Sequence, residues 1–321
     1  MELTAPTTKR PLAVFGEAMI ELSGISGTSC QLGVAGDTFN TAVYVRRLGW
    51  PVGYVTALGD DPFSDRIRDA LTSDGIGAEH VLRHPERSPG LYAVNLDANG
   101  ERSFTYWRDT SAARAFFTTP GSEAAMDWVA EAGALYLSGI SLSLFDPDGH
   151  ERLAAAAAAI RERGGLVIFD TNYRPHGWRD PSAARRAVAA LAPFVSMALP
   201  TFEDEALLFG DATPEVSARR WFEAGAGEVV VKHGADGALV GGDEWVPVPS
   251  PEKPIDTTGA GDAFNAAYLA ARFEGANPVT AARHGHALAS SVLGTYGAIL
   301  PRDEHPLRRA QALLGSLGDG T

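Results

Sequence analysis

Short apolar runs that alternate with helix-forming segments limit the fold of this chain more than any other feature. The runs have the length of buried strands and are bounded by Gly, Asp or Pro: residues 12–15, 52–57, 135–137, 166–169, 197–199 and 229–231. Most of them precede a segment with helical character, such as residues 38–48, 64–74, 147–163, 181–192 and 214–224. This alternation predicts a doubly wound α/β fold with a mainly parallel sheet flanked by helices. Ligands of such folds bind at the carboxyl ends of the strands.

In two places the alternation is interrupted. Residues 20–31 and 90–108 have the two-residue period of strands, with no helix between the strands. In the second segment Asn99-Gly100 separates two alternating runs, which is a strong hairpin signal. We therefore expect a small β-sheet lid built from both segments. It would belong to one domain spanning residues 11–310, with loose tails at 1–10 and 311–321.

The formal net charge of −13 restricts the partners of the chain. An acidic protein repels nucleic acid and anionic membrane surfaces, so we expect it to bind neither. One cysteine, Cys30, allows no internal disulfide, and residues 1–10 contain no apolar signal segment, so we expect a cytoplasmic protein. The charge also repels ATP. A phosphate site must therefore be made locally, for which backbone N–H groups at a helix start are suited.

The run Thr257-Thr-Gly-Ala-Gly-Asp262 has the composition of such a phosphate site. Its glycines permit a tight turn, and the residues that follow, 263–272, are typical of a helix. Asp262 would lie in the first helical turn, where a carboxylate can accept the proton of an attacking hydroxyl. Aspartate is also a common helix cap, so the pattern by itself leaves both roles open.

Two other nucleotide-binding motifs are absent from the sequence. No segment matches the phosphate-binding pattern G-x-x-x-x-G-K-[ST]. The first predicted strand is followed by Gly16-Glu-Ala-Met-Ile rather than G-x-G-x-x-G, which argues against a nicotinamide oxidoreductase. No His, Cys and carboxylate set has metal-ligand spacing, so magnesium is expected only as the counter-ion of ATP.

Together with Gly36-Asp37-Thr-Phe-Asn40, the Asp256–Asp262 run resembles the ribokinase-like (PfkB-type) sugar kinases. The resemblance covers roughly residues 12–301 and is greatest to the members that phosphorylate 2-keto-3-deoxygluconate. The segments that carry this closer resemblance are residues 16–23, 56–60, 89–92, 100–108, 135–141, 169–175, 229–236 and 297–301.

The resemblance implies a role for several residues of this chain. Asp262 would be the general base. The anion hole would be formed by Gly259, Ala260 and Gly261. The sugar would be contacted by Gly36, Asp37 and Asn40. The residues bordering ATP would be Asn172, Arg174, Lys232, Gly234, Ala235, Gly237, Gly259 and Gly261. The resemblance also implies ATP and Mg²⁺ as cofactors and a homo-oligomer assembled through the lid strands.

Two positions depart from the family pattern. Ala35 stands where the usual Gly-Gly-Asp has its first glycine, and its methyl group would trim the sugar pocket. The magnesium-linked Asn-x-x-Glu motif aligns with Thr201-Phe-Glu-Asp204. The alignment makes Asp204 a candidate for holding a magnesium-bound water. An acidic helix start, which the helix dipole favours, explains the same residues.

Two arginines point to a sugar acid as the substrate. Arg108 follows the second lid segment and Arg174 follows the strand near residue 170, and a guanidinium pairs bidentately with a carboxylate. The substrate would also be met by the phenols of Tyr92 and Tyr106. Alternatives remain: Arg108 can pair with an acid such as Asp109, Arg174 can serve the ATP phosphates, and either Tyr106 or Trp107 can belong to the core.

The sequence thus predicts a kinase for the terminal hydroxyl of 2-keto-3-deoxygluconate, with 2-keto-3-deoxy-6-phosphogluconate as the product. One rival is a fructokinase or another neutral-sugar kinase of the same family. A second rival is a catalytically silent sugar or nucleotide sensor on the same fold.

Overall fold

The computed structural model describes residues 10–96, 102–249, 254–302 and 308. In chain order its strands are β1 (Leu12–Phe15), β2 (Met19–Ser26), β3 (Ser29–Ala35), β4 (Val52–Leu58), β5 (Val81–Arg83), β6 (Leu91–Leu96), β7 (Arg102–Trp107), β8 (Ala134–Ser138), β9 (Leu166–Asp170), β10 (Met197–Ala198), β11 (Glu228–His233), β12 (Gly237–Val240) and β13 (Glu244–Val246). They form one nine-stranded sheet and one four-stranded sheet.

Helices cover both faces of the larger sheet. They are α1 (Asp37–Arg47), α2 (Pro62–Ser73), α3 (Ser122–Glu131), α4 (Gly139–Leu142), α5 (Pro147–Glu162), α6 (Pro181–Leu191), α7 (Phe202–Phe209), α8 (Pro214–Glu223), α9 (Ala260–Phe273) and α10 (Pro278–Leu293). Side chains that alternate along β1 enter two separate hydrophobic clusters, since Leu12 and Val14 pack with one and Ala13 and Phe15 with the other. The sheet is therefore buried on both faces, as a parallel sheet requires.

The order of the strands locates the ligand site. The larger sheet runs β13-β12-β11-β10-β9-β8-β1-β4-β5, parallel from β11 to β5, with an antiparallel β12–β13 hairpin at one edge. From β1 the chain builds toward β5, and from β8 it builds toward the opposite edge. The direction thus reverses between β1 and β8, and ligands of open α/β sheets bind beside such a reversal, at the carboxyl ends of the strands.

Five of the helices in the described ranges share one sequence pattern at their start, and two helices that begin after a glycine differ from it. Helices α2, α5, α6, α8 and α10 begin at a proline that follows a polar capping residue, and each cap accepts a backbone N–H. Helices α1 and α9 instead begin after Gly36 and Gly259, with no side-chain cap. At the start of α9 the N–H groups of Gly261 and Asp262 have no acceptor among the described residues, which is the usual requirement for binding an anion.

The four-stranded sheet forms the lid, in the order β3-β2-β6-β7. Its small core is formed by Met19, Ala35, Tyr92 and Val94. The lid was predicted from residues 20–31 and 90–108, and the structure extends its first hairpin to Ala35. The predicted Asn99-Gly100 turn lies outside the described residues, although β6 and β7 pair antiparallel on either side of it.

The predicted α/β fold is confirmed. The single domain at 11–310 and the loose tails stay predictions, because much of both ends lies outside the described residues. Within the described ranges, no helix has the length and apolar character needed to span a bilayer.

Candidate active site

Helix α9 opens with a turn that requires glycine at one position. Gly259 has φ = +76°, and a Cβ there would lie 2.6 Å from the Cβ and 2.8 Å from the Cα of Ala298. At Gly261 the nearest atom to a Cβ would be Lys232 Nζ, at 3.8 Å, so that position has room. Among the described residues, the N–H groups of Gly261 and Asp262 have no acceptor. Two adjacent free donors at a helix start are suited to bind a phosphate oxygen.

Asp262 lies in the first turn of α9 and is buried. Its Oδ2 accepts a hydrogen bond from Asn40 Nδ2 at 2.8 Å, and it does not cap its helix, so the alternative of a capping aspartate is wrong. Burial, together with the nearby Asp37 and Asp170 carboxylates, raises the pKa of Asp262 to about 8. A carboxyl group with such a pKa exchanges a proton readily near neutral pH.

The start of α1 brings Asp37 and Asn40 to the same place. Gly36 is fixed by a close approach, because a Cβ there would lie 2.3 Å from the carbonyl oxygen of Glu17. Asp37 Oδ2 accepts hydrogen bonds from Ser138 Oγ at 2.5 Å and Asn172 Nδ2 at 3.0 Å. Burial raises the pKa of Asp37. The structure thus brings the Gly36–Asn40 motif and the Asp262 turn, more than 200 residues apart in sequence, into direct contact.

Asn172 follows β9 in a strained conformation. Its φ of +31° is the left-handed region, which non-glycine residues enter at a cost of roughly 1–3 kcal/mol and mostly at functional sites. The backbone N–H of Asn172 donates to Asp170 Oδ1 at 3.2 Å and holds this bend. Because its amide also donates to Asp37, Asn172 links the end of β9 to the start of α1.

Two tyrosines of the lid pair across neighbouring strands. Tyr92 on β6 and Tyr106 on β7 are directly opposite, with ring centroids 5.7 Å apart. Tyr92 is buried and its phenol donates to Glu21, its cross-strand neighbour on β2. Tyr106 is 50% and Trp107 58% exposed, so the alternative in which one of them belongs to the core is wrong.

Arg108 forms a buried ion pair with Glu17. The two groups are 2.5 Å apart, and their side chains are 13% and 1% exposed. Glu17 directly follows the close turn after β1, whereas Arg108 follows β7, so the pair joins the larger sheet to the lid. The partner of Arg108 is therefore a buried acid and not a surface acid such as Asp109.

Arg174 and Asp204 form a second, more exposed pair. Arg174 Nη1 donates to Asp204 Oδ1 at 2.9 Å and Oδ2 at 3.1 Å, and also to the carbonyl of Tyr173 at 2.8 Å. The Arg174 side chain is 56% exposed. Its Nε and Nη2 donate to no acceptor among the described residues, so this edge of the guanidinium is open to a ligand.

Lys232, near the end of β11, belongs to a buried network. Its Nζ donates to Asp170 Oδ2 at 2.8 Å and to Asn265 Oδ1 at 3.0 Å. Three more residues were predicted to border ATP. Gly234 and Ala235 lie in the turn between β11 and β12, and Gly237 is the first residue of β12. Gly237 is required there, since φ is +118° and a Cβ would lie 2.3 Å from the carbonyl oxygen of Val246.

Comparison with known proteins identifies the family. The profile described as "pfkB family carbohydrate kinase" matches residues 9–305. The chain belongs to this family. It is 40% identical over 309 residues to a 2-dehydro-3-deoxygluconokinase of Dickeya dadantii, covering 93% of this chain and 99% of that protein. To the protein of the same name from Escherichia coli K12 it is 41% identical over 307 residues, covering 92% and 99%.

A solved structure shares the fold of this pfkB kinase. It is the fructokinase of Vibrio cholerae O395 in a form with fructose, ADP and calcium ion bound. The TM-score is 0.79 at 24% identity, covering 96% of this chain and all of that one. At this identity the likeness shows the fold alone.

In this pfkB kinase, the start of α9 combines a buried carboxyl group with free backbone donors.

The sequence predicted Asp262, Asp37 and Asn40 as site residues, but it did not predict Glu17 and Glu21. The signal for Glu21 was its register on β2, opposite Tyr92. The signal for Glu17 was its position directly after β1, at the carboxyl edge where ligands bind. Among the described residues, no cluster of three or more His, Cys, Asp or Glu could hold a metal ion.

Proposed function

We propose that this pfkB kinase transfers the γ-phosphoryl group of ATP to the terminal hydroxyl of 2-dehydro-3-deoxygluconate, the compound also called 2-keto-3-deoxygluconate. The observation that carries the proposal is the 40–41% identity, over more than nine tenths of the chain, to kinases named for that substrate. The product is 2-keto-3-deoxy-6-phosphogluconate.

Asp262 is the proposed general base. Its buried carboxylate takes the proton of the substrate hydroxyl as that oxygen attacks the γ-phosphorus and the bond to the β-phosphate oxygen breaks. The N–H groups of Gly261 and Asp262 donate to the phosphoryl oxygens as charge develops on them, with Gly259 and Ala260 shaping the turn. Asn40 holds the Asp262 carboxylate in place through its 2.8 Å hydrogen bond.

The far end of the substrate is proposed to meet the two arginines. Arg174 has an open guanidinium edge, and Arg108 lies at the base of the lid. Glu17 already neutralises much of the charge of Arg108, so Arg174 is the stronger candidate for the carboxylate. Both arginines lie near the Tyr106 phenol, since burial raises the pKa of Tyr106 and the two guanidinium groups oppose that shift. Tyr92, Gly36 and Asp37 are the proposed neighbours of the sugar hydroxyls.

ATP is the proposed phosphoryl donor, with a divalent cation, proposed to be magnesium, beside its phosphates. Bound with ATP, the cation neutralises negative charge on the phosphates. Asp204 can accept from a metal-bound water while it keeps Arg174, since an ionised carboxylate has about four acceptor sites. Asn172 and residues 234–237 stay predicted neighbours of the nucleotide. Lys232 was also predicted to border ATP, but its ammonium is held by Asp170 and Asn265.

The lid is also the proposed site of self-association. Large apolar side chains on it are exposed: Ile25 at 47%, Phe104 at 41%, Tyr106 at 50% and Trp107 at 58%. An exposed strand edge with apolar side chains is prone to pair with another strand. We therefore propose a homo-oligomer in which lid sheets of two subunits pack together.

The pH dependence of kcat/KM should follow Asp262. The base acts only when ionised, and its pKa is raised to about 8, so kcat/KM should rise with pH through that value. Steady-state rates between pH 6 and about 9.5 with saturating ATP measure this rise, which is the acid limb of the pH profile. An activity that is already maximal near pH 6 would contradict the assignment of Asp262 as the base.

Replacing Arg174 with alanine should impair the sugar acid selectively. Loss of a charged hydrogen bond costs about 1.5–3 kcal/mol, which corresponds to a roughly 10–100-fold rise in KM for the acid. The KM for fructose should change by less than about threefold. Arg179→Ala is the matched control, because Arg179 is 91% exposed and its described pair is with Asp180. Equal losses for both sugars, or a loss confined to ATP, would assign Arg174 to the nucleotide instead.

The proposed product is tested by nuclear magnetic resonance of the reaction mixture. Incubation with ATP and 2-dehydro-3-deoxygluconate should give a phosphate ester whose phosphorus couples to the terminal CH₂ protons. A phosphate at another carbon, or no ADP release with this substrate, would contradict the proposed function.

A further inference from the structure

Lys232 is unusual in a chain that otherwise uses arginine. Of its 27 Lys and Arg residues, the lysines are Lys9, Lys232 and Lys253. Lys232 is buried, 7% exposed, and its ammonium donates hydrogen bonds to Asp170 and Asn265. A lysine head is a compact point charge, whereas arginine is a broad planar fork. The position therefore suits a compact cation that is held by two buried side chains.

The sheet topology explains how Lys232 reaches Asp170. Strand β10 lies between β9 and β11 but contains only Met197–Ala198. Ala198 is in register with Phe169 and with Val229, so Asp170 and Lys232 both lie beyond the last residue of β10. The segment after Ala198 stays beside β11, where Thr201 pairs with Lys232. The lysine side chain reaches across this segment to Asp170 and joins the carboxyl ends of two strands that are not neighbours.

Asn265 connects this pair to the first turn of α9. It lies three residues after Asp262, on the same side of the helix. Its Oδ1 accepts from Lys232 at 3.0 Å, and its Nδ2 donates to Asp170 Oδ2 at 2.7 Å and to Tyr136 Oη at 3.0 Å. Lys232 Nζ also lies only 3.8 Å from the position of a Cβ on Gly261. The ammonium therefore lies directly under the turn that carries Asp262.

Resting on the proposed function, we propose that Lys232 is a positioning residue for phosphoryl transfer. Its ammonium fixes the first turn of α9 through Asn265 and supplies the positive charge that balances the carboxylates around Asp262. It does this from within the protein, because its ammonium is engaged by Asp170 and Asn265 and would have to leave a buried carboxylate to reach a phosphate. Such a move is unfavourable because it would leave a buried carboxylate without its counter-charge.

The titratable groups that face Asp262 come from several elements, and the tyrosines among them are neutral because burial raises their pKa values. They are Asp37 and Tyr44 from α1, Tyr92 from the lid, Tyr136 from β8, Asp170 from β9 and Lys232 from β11. The two aspartates raise the pKa of Asp262, and Lys232 lowers it. On α10, the buried His286 bonds the carbonyl of Val246 instead. The cation acting on Asp262 is therefore Lys232.

The test is the acid limb of the kcat/KM profile in Lys232→Met and Asp170→Asn. An opposite charge close to a carboxylate shifts its pKa by about 1–3 units, so Lys232→Met should move the limb upward by about one pH unit or more. Asp170→Asn removes a like charge and should move it downward. The KM for ATP should stay within about threefold in Lys232→Met. If Lys232 only stabilised the fold, the two variants would not move the acid limb in opposite directions.

The proposal is overturned if a folded Lys232→Met variant keeps the acid limb of the wild type. A roughly tenfold higher KM for ATP in that variant would then place Lys232 at the nucleotide instead. If Lys232→Met does not fold, Asp170→Asn decides, since an unmoved limb there also overturns it. Arg272→Met is the matched control. Arg272 pairs with buried Glu228 near the other end of α9, so its loss should lower stability and leave the limb in place. The limb can be recorded with any sugar that supports ADP release, so failure of the substrate assignment is seen separately in the wild type.

Discussion

Replacing Asp262 with asparagine should lower kcat by about 10²–10⁴, the usual contribution of a positioned general base. The amide has the shape of the carboxyl group and keeps an oxygen for Asn40, but it cannot accept the substrate proton. ATP binding should be largely kept. Steady-state turnover and calorimetric ATP titration of the same preparation measure both quantities.

The melting temperature of Asp262→Asn shows whether lower turnover comes from loss of the general base or from misfolding. The pKa of Asp262 is raised from 3.8 to about 8 in the fold, so its contribution to stability is full below its unfolded pKa and is lost as pH rises through about 8. At pH 9 the wild type carries an unfavourable buried charge that the variant lacks. The melting temperature of the variant at pH 9 should therefore equal or exceed that of the wild type.

Asp148→Asn is the matched control, because Asp148 also occupies a first helical turn but is exposed on α5. It should keep full turnover. Near-normal turnover in Asp262→Asn, or an equal loss in both variants, would contradict the assignment of Asp262 as the base.

Replacing Gly259 with alanine should be the most damaging change in the phosphate turn. A left-handed residue with a Cβ costs about 1–2 kcal/mol, and overlap with Ala298 adds roughly 1–3 kcal/mol. The turn will shift to relieve the overlap and will misplace its N–H donors. Loss of one such donor lowers kcat by about 10²–10³ in other enzymes, so a fall of at least about 100-fold is expected.

Gly261→Ala provides the comparison within the same turn. A Cβ there has Lys232 Nζ as its nearest neighbour at 3.8 Å, an ordinary contact. Its melting temperature should match the wild type, and its kcat should fall by no more than about tenfold. Thermal melts and single-turnover rates compare the two variants. Equal losses at both positions would contradict the claim that the conformation of Gly259 shapes the site.

Much of the fold could be predicted because buried parallel strands are continuous apolar runs. Strand β1 was predicted with its observed bounds, and β11 extends the predicted 229–231 by one residue before and two after. The prediction missed β5, β12 and β13, which lie at or near the sheet edges. These strands contain three or four residues each, and β12 and β13 are joined by a glycine-rich turn. Such strands are too short to show a recognisable hydrophobic pattern.

The candidate site could be predicted less completely, because sequence patterns show residue types and not partners. The turn at Gly259 and the carboxylate at Asp262 were recognisable from local spacing. The position of Glu17 directly after β1 was a signal that it lies at the ligand edge, but nothing near it in sequence indicates that Arg108 is its partner. The same holds for Lys232, whose contacts with Asp170 and Asn265 depend on the short β10 between two other strands.

The central claim is that this pfkB kinase acts on a sugar acid through Asp262. Its most direct test is the ratio of kcat/KM for 2-dehydro-3-deoxygluconate to that for fructose, with ADP release coupled to a spectrophotometric signal. A ratio of at least about 10 is expected, because a charged hydrogen bond to the carboxylate contributes about 1.5–3 kcal/mol and fructose lacks that group. A ratio near one, or a preference for fructose, would contradict it.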